Sequence, residues 1–361
     1  MRVLIVGGRG VFGSRLARLL AGRPGLTLVI AGRDAAKNDA FAATLPAGSA
    51  VAARLDRNTV RQADVAALSP DVLVDASGPF QAYGAAPHRL VELALAARAH
   101  YLDLADDPAF MAGVAAFDAA ARARGRVVLS GLSTVPALSG AVARRLAAGL
   151  QRVDRVFVGV APAATAPLGR SVVEGALRQA GRPADGRLGA CLVDSLFWTI
   201  APPGVPPLRR RRFLLVQGLP SGLPQPSLAW VGAGVAPQVL LGLLNGLAWA
   251  ASRRLLPHLS PLAGACHRVI NAARWGEARG GMIVVVEGRG ADGQAAQRSW
   301  HLIAEGEDGP FIPAMAAAAV VSKLASDSTL RPGARAAAHD LELADFEPLF
   351  AARAIVHGVR A

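Results

Sequence analysis

The sequence predicts an α/β protein that begins with a Rossmann domain, a doubly wound parallel sheet, and continues into a second α/β domain with a mixed or antiparallel sheet. Three observations predict this fold: short apolar runs alternate with helical patterns over residues 3–130, a glycine-rich turn follows the first apolar run, and the pattern changes after Pro136. With 361 residues and a hydrophobic fraction of 52%, the chain is large enough for two domains with separate cores.

The first strand and the turn after it form the strongest local motif. Residues 3–6 are apolar and predict a strand that is buried on both faces, and apolar residues recur at helical spacing over residues 14–20. Glycines between a strand and a helix let the backbone approach a pyrophosphate, and the helix N-terminus favours its negative charge. A structural turn without a ligand is the alternative. The predicted pyrophosphate-binding residues are Gly7, Gly8, Arg9, Gly10, Val11, Phe12 and Gly13.

The second predicted strand, residues 26–31, ends in Gly32, Arg33 and Asp34. The tip of this strand lies beside the adenine ribose in such folds, where an acidic residue binds the 2′-hydroxyl of NAD and an arginine accommodates the 2′-phosphate of NADP. Arg33 is the first side chain after Gly32, so the sequence favours NADP, and Lys37 adds positive charge. The alternative is that Asp34 binds the ribose and Arg33 is only solvated.

Four further predicted strands complete the Rossmann domain, over residues 51–55, 71–76, 101–104 and 126–129. Helices are predicted over residues 88–97 and 110–124. Asp56 ends the third strand near the expected adenine position. The loop Ser77-Gly78-Pro79 follows the fourth strand, at the carboxyl edge where ligands bind. These four residues are therefore added to the cofactor site.

The motifs of the first 136 residues resemble the saccharopine dehydrogenase-like, NADP-binding oxidoreductases. The resemblance implies an NADP domain of residues 1–135 that is completed by residues 310–361. It also implies a middle domain, residues 136–309, that covers the nicotinamide, holds the substrate and contributes to dimerisation. The substrate stays open, because relatives of this kind differ in their chemistry. The resemblance is carried by residues 7–13, 31–33, 74–84, 99–104 and 130–136.

The middle of the chain contains an unusual segment, residues 213–252, without a single Asp, Glu, Lys, Arg or His. We expect a strand over residues 227–235 and a very apolar helix over residues 237–256. Three interpretations of the helix stay open: it is buried in the domain or in a dimer, it lies at a membrane interface, or it spans a membrane. The preceding run Arg209–Arg212 is typical of a solvated loop, although it could also bind an anionic substrate or lipid head group.

The predicted elements around this segment are helices and strands of ordinary pattern. They comprise helices over 137–150 and 172–180, a strand over 152–160, a hairpin of strands 282–287 and 298–304, a helix over 312–325, and a closing segment 341–350.

The scarcity of lysine excludes one catalytic class. Lys37 and Lys323 are the only lysines, and the residues four positions after Tyr83 and Tyr101 are proline and alanine, so the Tyr-x-x-x-Lys dyad of short-chain dehydrogenases is absent. No hydrolase, metalloprotease or P-loop motif occurs. Side chains at the predicted carboxyl ends of strands are the best-placed proton donors, although Asp103 could equally anchor a loop. The catalytic candidates are Asp103, Ser133 and Thr134, with Ser77 and Asp106 beside them.

These observations favour an NADP-dependent oxidoreductase that transfers hydride to or from an apolar or amphipathic small molecule. The alternative is a non-catalytic, membrane-associated NADP-binding scaffold or sensor, since an acid–base dyad is not evident. A formal net charge of +13 is spread over helical segments and aromatic residues are only 5%, which argues against nucleic acid. Two distant cysteines suggest neither disulfides nor a metal site, so a cytoplasmic location is expected. Peripheral membrane contact and a homodimer stay open.

Overall fold

The computed structural model describes residues 1–184, 189–218, 226, 228–234, 238–256, 258–273, 275–326 and 330–360. The chain divides into two compact units, neither of which is continuous in sequence. Unit 1 comprises Met1–Ala137 and Phe311–Leu341, and unit 2 comprises Leu138–Pro310 and Glu342–Ala361.

The strands and helices are numbered along the chain. The strands are β1 (Arg2–Val6), β2 (Thr27–Gly32), β3 (Ala50–Arg54), β4 (Val72–Asp75), β5 (His100–Asp103), β6 (Val127–Ser130), β7 (Leu150–Ala161), β8 (Ser195–Trp198), β9 (Arg211–Leu215), β10 (Leu228–Ala233), β11 (Gly280–Gly290), β12 (Ala295–Ala304), β13 (Gly333–Ala336) and β14 (Ile355–Arg360). The helices are α1 (Val11–Leu20), α2 (Ala35–Ala42), α3 (Gln62–Leu68), α4 (Arg89–Ala96), α5 (Pro108–Gly113), α6 (Asp118–Ala123), α7 (Ser139–Ala147), α8 (Arg170–Gln179), α9 (Gln238–Ser252), α10 (Ala263–Ala272), α11 (Ile312–Ala325) and α12 (Glu347–Ala351).

Unit 1 contains a seven-stranded parallel sheet in the order β13-β6-β5-β4-β1-β2-β3. The six predicted strands form the doubly wound part, so the predicted Rossmann fold is confirmed. Strand order reverses between β1 and β4, which are paired side by side from Val3 and Val72 to Val6 and Asp75. Both of these strands are buried, as parallel sheets covered by helices on both faces require. The loops after β1 and β4 therefore emerge next to each other, at the position where such sheets bind ligands.

The seventh strand, β13, was not predicted as a strand. It pairs with β6 and is held at its start by Asp118, whose side chain accepts a hydrogen bond from the backbone N–H of Ala334 at 2.9 Å. The predicted helix over 110–124 is divided into α5 and α6 by a short 3₁₀ segment, Val114–Phe117. Apolar spacing continues through that segment, and so the change of helix type leaves no signal in the sequence pattern.

Unit 2 contains a seven-stranded mixed sheet in the order β14-β12-β11-β7-β10-β9-β8, which confirms the predicted second α/β domain. Among the strands of this sheet that the structure describes, only the neighbours β7 and β10 are paired in parallel. The predicted hairpin forms β11 and β12. Helices α8, α9 and α10 bury their inner sides in one apolar cluster that includes Val173, Leu177, Leu241 and Ala263.

The run Arg209–Arg212 is not wholly a solvated loop, because β9 begins at Arg211. The Arg211 side chain is only 5% exposed, and its guanidinium lies 3.2 Å from the carboxylate of Glu277. It also donates to the backbone carbonyls of Pro162 at 3.2 Å and of Arg279 at 3.1 Å. A buried arginine requires such partners, and the charge run alone does not reveal them.

The uncharged segment 213–252 forms most of β9 and the whole of β10 and α9. The predicted strand and helix of this segment include residues 227, 235 and 237, which lie outside the described residues. Helix α9 ends at Ser252, earlier than the expected residue 256. Within the described ranges, no helix is both long enough and apolar enough to cross a membrane.

The end of the chain divides differently from the expected boundaries. Residues 310–361 were expected to complete the Rossmann domain, but only Phe311–Leu341 belong to unit 1. Residues from Glu342 onward belong to unit 2, because β14 adds to the edge of its sheet beside β12. The alternation of apolar residues over 355–360 is too short and too interrupted to predict this strand.

Candidate dinucleotide-binding site

The glycine-rich turn connects β1 to α1 through unusually close backbone contacts. Gly7 has a φ of +79°, and its N–H donates to the carbonyl of Ala31 at 2.9 Å. A Cβ at Gly7 would lie 2.8 Å from the carbonyl oxygen of Ala76, and a Cβ at Gly13 would collide with the carbonyl oxygen of Gly7. Side chains at either position would therefore push the helix or the β4 loop away from the turn.

The N-terminus of α1 is open to an anion. Its N-cap residue is Gly10, which offers no side chain to the first N–H groups, and no acidic residue lies in the first turn. The turn is closed by a hydrogen bond from the N–H of Gly10 to the carbonyl of Gly7 at 2.8 Å. Arg9 is exposed, and Val11 and Phe12 are half-buried at the helix start. Free N–H groups and the helix dipole make this arrangement suited to a pyrophosphate.

The tip of β2 is more positive than the sequence alone indicates. Asp34 is the N-cap of α2, where its side chain accepts a hydrogen bond from the N–H of Lys37 at 3.1 Å. Its carboxylate also forms an ion pair of 2.9 Å with the Lys37 ammonium. These contacts with Lys37, aided by the charge of Arg9, hold the pKa of Asp34 below its usual value. Arg33 remains exposed, with no ion pair among the described contacts.

Asn38 is a residue of this site that the sequence did not reveal. It is 1% exposed, and its side-chain amide donates to the carbonyls of Gly32 at 3.0 Å and of Ala53 at 2.9 Å. A Cβ at Gly32 would lie 3.0 Å from the Asn38 oxygen. Asn38 thus joins the carboxyl ends of β2 and β3, and the absence of a side chain at Gly32 leaves room for it.

Asp56 lies in the turn that follows β3. Its side chain accepts a hydrogen bond from the N–H of Asn58 at 3.0 Å, and its backbone carbonyl accepts from Thr59 and Val60. The side chain is half-buried. The residue therefore shapes the turn in addition to any contact with a ligand.

A buried polar network holds the loop after β4. Asp75 is fully buried and accepts hydrogen bonds from both the N–H, at 3.0 Å, and the hydroxyl of Ser77. The Tyr83 hydroxyl lies 3.1 Å from each oxygen of the same carboxylate. The Arg57 guanidinium lies 3.1 Å above the centre of the Tyr83 ring and 3.8 Å from Asp75. Of these four residues, only Ser77 was predicted from the sequence to bind the cofactor.

Burial raises the pKa of Asp75, whereas the hydrogen bonds from Ser77 and the charge of Arg57 act in the opposite direction. Burial and the nearby Asp75 raise the pKa of Tyr83, so its hydroxyl stays protonated and donates. The network fixes the loop in which Ser77, Gly78 and Pro79 lie half-buried, beside the glycine turn.

The candidate catalytic residues lie at the ends of β5 and β6. Asp103 is fully buried, and one of its oxygens accepts from Ser130 Oγ at 2.9 Å, from Gly131 N–H at 2.8 Å and from Ala105 N–H at 2.9 Å. Burial raises the pKa of Asp103 to about 7 despite these donors. The carboxyl group thereby ties together the loops after both strands.

Ser133 and Thr134 follow in the loop after β6. Ser133 is half-buried and its N–H donates to the carbonyl of Gly131 at 2.8 Å, whereas Thr134 is 8% exposed. The structure thus brings Asp103 and this loop together through Gly131, whose φ of +85° requires a glycine.

Residues 3–129 match the family model described as the saccharopine dehydrogenase NADP binding domain. The N-terminal domain is a saccharopine dehydrogenase-type nucleotide-binding domain. A domain of this type places the chain among the oxidoreductases and confirms the resemblance found in the sequence. No curated protein matches the sequence.

One solved structure shares the fold beyond the saccharopine dehydrogenase-type domain. The chain is similar to apo saccharopine dehydrogenase (L-Glu forming) from Saccharomyces cerevisiae, with a TM-score of 0.60 and 15% identity over 100% of both chains. A meso-dapdh mutant from Clostridium tetani has a TM-score of 0.48 and 12% identity over 96% of both chains. Biliverdin reductase from Synechocystis has a TM-score of 0.41 and 17% identity over 96% of this chain and 98% of its own. The first of these shows the two-domain fold along the whole chain.

Proposed function

We propose that the protein is an NADP-dependent oxidoreductase that transfers hydride to or from a small molecule. The tip of β2 carries this proposal: Arg33 is exposed there, while the carboxylate of Asp34 is occupied by Lys37 and by the start of α2. A ribose 2′-hydroxyl needs a free acceptor, and a 2′-phosphate needs positive charge. Arg33, with Arg9 and Lys37 beside it, supplies charge for a phosphate.

The other contacts of the dinucleotide follow from the same sheet edge. We assign the pyrophosphate to the N–H groups of the turn from Gly7 to Gly13, because the open N-terminus of α1 fits an anion. Asp56 is assigned to the adenosine side, after β3. The loop Ser77-Gly78-Pro79 is assigned to the nicotinamide side, since β4 adjoins β1.

The chain's own residues would then hold the cofactor and manage a proton. When bound, the nicotinamide supplies or accepts the hydride. We assign Asp103 a positioning role through Ser130 and Gly131, because its buried carboxylate is turned into the protein. Ser133 and Thr134 lie on the loop that Asp103 holds, and they are the proposed groups for proton donation or acceptance.

The proposed substrate is an apolar or amphipathic small molecule, and the uncharged segment 213–252 supports it. Part of that segment has another explanation, since Phe213, Leu215 and Trp230 pack in the core of unit 2. Oxidation or reduction of the bound nicotinamide would distinguish the oxidoreductase from the alternative, a scaffold or sensor that binds NADP without turnover.

The cofactor assignment is tested by titrating the protein with NADPH and NADH and following nucleotide fluorescence. We expect tighter binding of NADPH. Arg33→Ala should weaken NADPH by about tenfold to a hundredfold, because hydrogen bonds to charged groups contribute about 1.5–3 kcal/mol. Binding of NADH should change little in this variant.

The matched control is Arg124→Ala, which removes an exposed arginine from the C-cap of α6 without touching the sheet edge assigned to the cofactor. It should leave both affinities unchanged. Equal loss of NADPH and NADH binding in Arg33→Ala would show that Arg33 does not contact the 2′-phosphate. Tight NADPH binding without oxidation in the presence of aldehydes, imines and enoyl thioesters would favour the scaffold.

A further inference from the structure

Helix α9 is apolar on both its inner and its outer side. Leu241 and Ala248 point into the cluster beneath the helix and are 3% and 0% exposed. The outer side chains are Val239, Leu243, Leu247 and Trp249, with exposures of 72%, 63%, 37% and 48%. We call these four side chains the α9 face. Helices of globular proteins usually turn polar side chains outward, so an apolar outer side indicates a surface that is covered by something.

The apolar surface continues beyond α9. Leu255, in the turn after the helix, is 67% exposed. Leu262, just before α10, is 43% exposed, and Val269, on α10, is 52% exposed. Helix α10 packs its inner side on the same cluster as α9, through Ala263. Both helices therefore direct apolar side chains away from one common core.

The chain segment that forms this surface carries charge of one sign. The sequence contains no Asp or Glu between Asp194 and Glu277, whereas Arg209–Arg212, Arg253, Arg254 and Arg268 all lie in that interval. The Arg212 guanidinium donates to the side chain of Asn245, in the middle of α9, at 2.7 Å, and its backbone N–H donates to the side chain of Gln238, the first residue of the helix, at 3.1 Å. After the end of α9, Arg253 lies 5.9 Å from the centre of the Trp249 ring. Arginines thus contact α9 at its middle and after its end.

We propose that the α9 face docks on an anionic lipid surface, with the helix lying in the plane of the interface. Apolar side chains would enter the boundary between head groups and acyl chains, Trp249 would lie at that boundary, and the flanking arginines would contact lipid phosphates. The 15 residues of α9 extend about 22 Å at 1.5 Å per residue, a length suited to lying in the interface.

Charge complementarity selects lipid over a second copy of the chain. In a symmetric contact, each copy would bring the same arginines and no carboxylate from residues 195–276 to neutralise them. Anionic lipid supplies the missing negative charge without that repulsion. The proposal is independent of the proposed function, because it involves neither the glycine turn nor the tip of β2.

The experiment is flotation of the full chain with vesicles of phosphatidylcholine alone and with vesicles of phosphatidylcholine mixed with phosphatidylglycerol. We expect the protein to float with the anionic vesicles and to be released by high salt. Leu243→Glu combined with Leu247→Glu should lower partitioning at least about tenfold, since two inserted leucines are lost. Arg253→Gln combined with Arg254→Gln should lower it by about fivefold per arginine.

The matched control is Val356→Glu combined with Val359→Glu, which adds the same charge at two exposed valines of β14. This variant should float like the wild type, and circular dichroism should show all variants folded. Wild-type protein that fails to float with anionic vesicles would overturn the proposal. Undiminished flotation of the leucine variant would also overturn it. So would a wild-type protein that binds no vesicles and forms a dimer which the leucine variant does not form.

Discussion

Tyr83 and Arg57 show how a single buried carboxylate organises a loop. The ring and the hydroxyl of Tyr83 serve different partners, since Arg57 stacks on the ring while the hydroxyl contacts Asp75. Arg57 is anchored in turn by donating to the backbone carbonyl of Pro87 at 2.6 Å. Because Asp75 ends β4, this network fixes the loop that adjoins the glycine turn.

Removal of one hydroxyl tests this network. Tyr83→Phe keeps the ring under Arg57 but removes a donor from the buried carboxylate of Asp75, so the free energy of unfolding should fall by about 1–3 kcal/mol. Denaturant titration measures the loss. Combined with Ser77→Ala, which removes another donor, the losses should differ from their sum by at least about 0.5 kcal/mol. Additive losses would show that the two hydroxyls act separately.

Asp103 couples folding to pH. Its pKa is raised by burial to about 7, well above the value of about 3.9 for an unfolded aspartate. The folded state therefore binds the proton more tightly. The stability this contributes is complete below about pH 4 and is lost as the pH rises through about 7. A shift of about three units corresponds to roughly 4 kcal/mol.

Asp103→Asn should remove this pH dependence while its side-chain oxygen still accepts from Ser130, Gly131 and Ala105. The measurement is the difference in unfolding free energy between wild type and variant at each pH from 4 to 8. A difference is needed because burial lowers the pKa of His100 and of His301 to about 4, which costs stability as the pH falls. The exposed Asp39→Asn serves as control. A constant difference across this range would contradict the assignment.

At the residue scale, the sequence predicted positions better than partners. Arg33 and Asp34 were identified because they follow the second predicted strand. The ion pair between Asp34 and Lys37 was not predicted, since it depends on where α2 begins. Arg57 carried no signal at all, because its contacts with Tyr83 and Asp75 join residues far apart in sequence. Long-range polar contacts of this kind are set by tertiary packing.

At the element scale, the start of α1 depends on glycine for space. Gly13→Ala would place a Cβ against the backbone carbonyl of Gly7 and against Gly8, neither of which can move without opening the turn. We expect a loss of stability of about 1–3 kcal/mol, together with weaker binding of both NADPH and NADH. Thermal unfolding and nucleotide fluorescence measure the two effects.

The same substitution has the opposite effect where a helical glycine is unobstructed. Gly264 lies in α10, and a Cβ there would meet no atom within 4 Å. Gly264→Ala should therefore stabilise the protein by up to about 1 kcal/mol, because alanine is the better helix former. A similar loss of stability in both variants would show that crowding at Gly13 is not the cause.

Strands were predicted best where a run of apolar residues coincides with burial on both faces. The buried runs of β1, β2 and β4 were recognised to within a residue or two, since strands covered on both faces are apolar throughout. Strand β9 was missed because Arg211 and Arg212 stand at its start, and their polar partners come from distant segments. The edge strands β13 and β14 were missed because glycine, arginine and histidine interrupt their apolar residues.

At the scale of the whole molecule, unit 1 depends on a segment that returns late in the chain. Helix α11 is buried from Ala314 to Val321 and contacts α1, and Arg23, in the turn after α1, donates a hydrogen bond to Ser322. A fragment of residues 1–137 lacks α11 and β13. We expect it to bind a hydrophobic dye and to melt without a cooperative transition, because the apolar side of α1 and the edge of β6 are uncovered.

A second fragment provides the control for this prediction. Residues 1–137 joined to residues 311–341 by a flexible glycine-serine linker restore all seven strands of the parallel sheet. This fragment should melt cooperatively and bind NADPH at the assigned site. Equal cooperativity in both fragments would show that α11 and β13 are dispensable.

The interleaving of the two units also bears on the order of events during protein synthesis. Strand β6 ends at Ser130, but its partner β13 begins at Gly333. At roughly 5–20 residues per second, a ribosome needs about 10–40 s to make the intervening stretch. For that time the nascent Rossmann sheet presents an unpaired edge, which is a template for incorrect pairing and a natural target for chaperones.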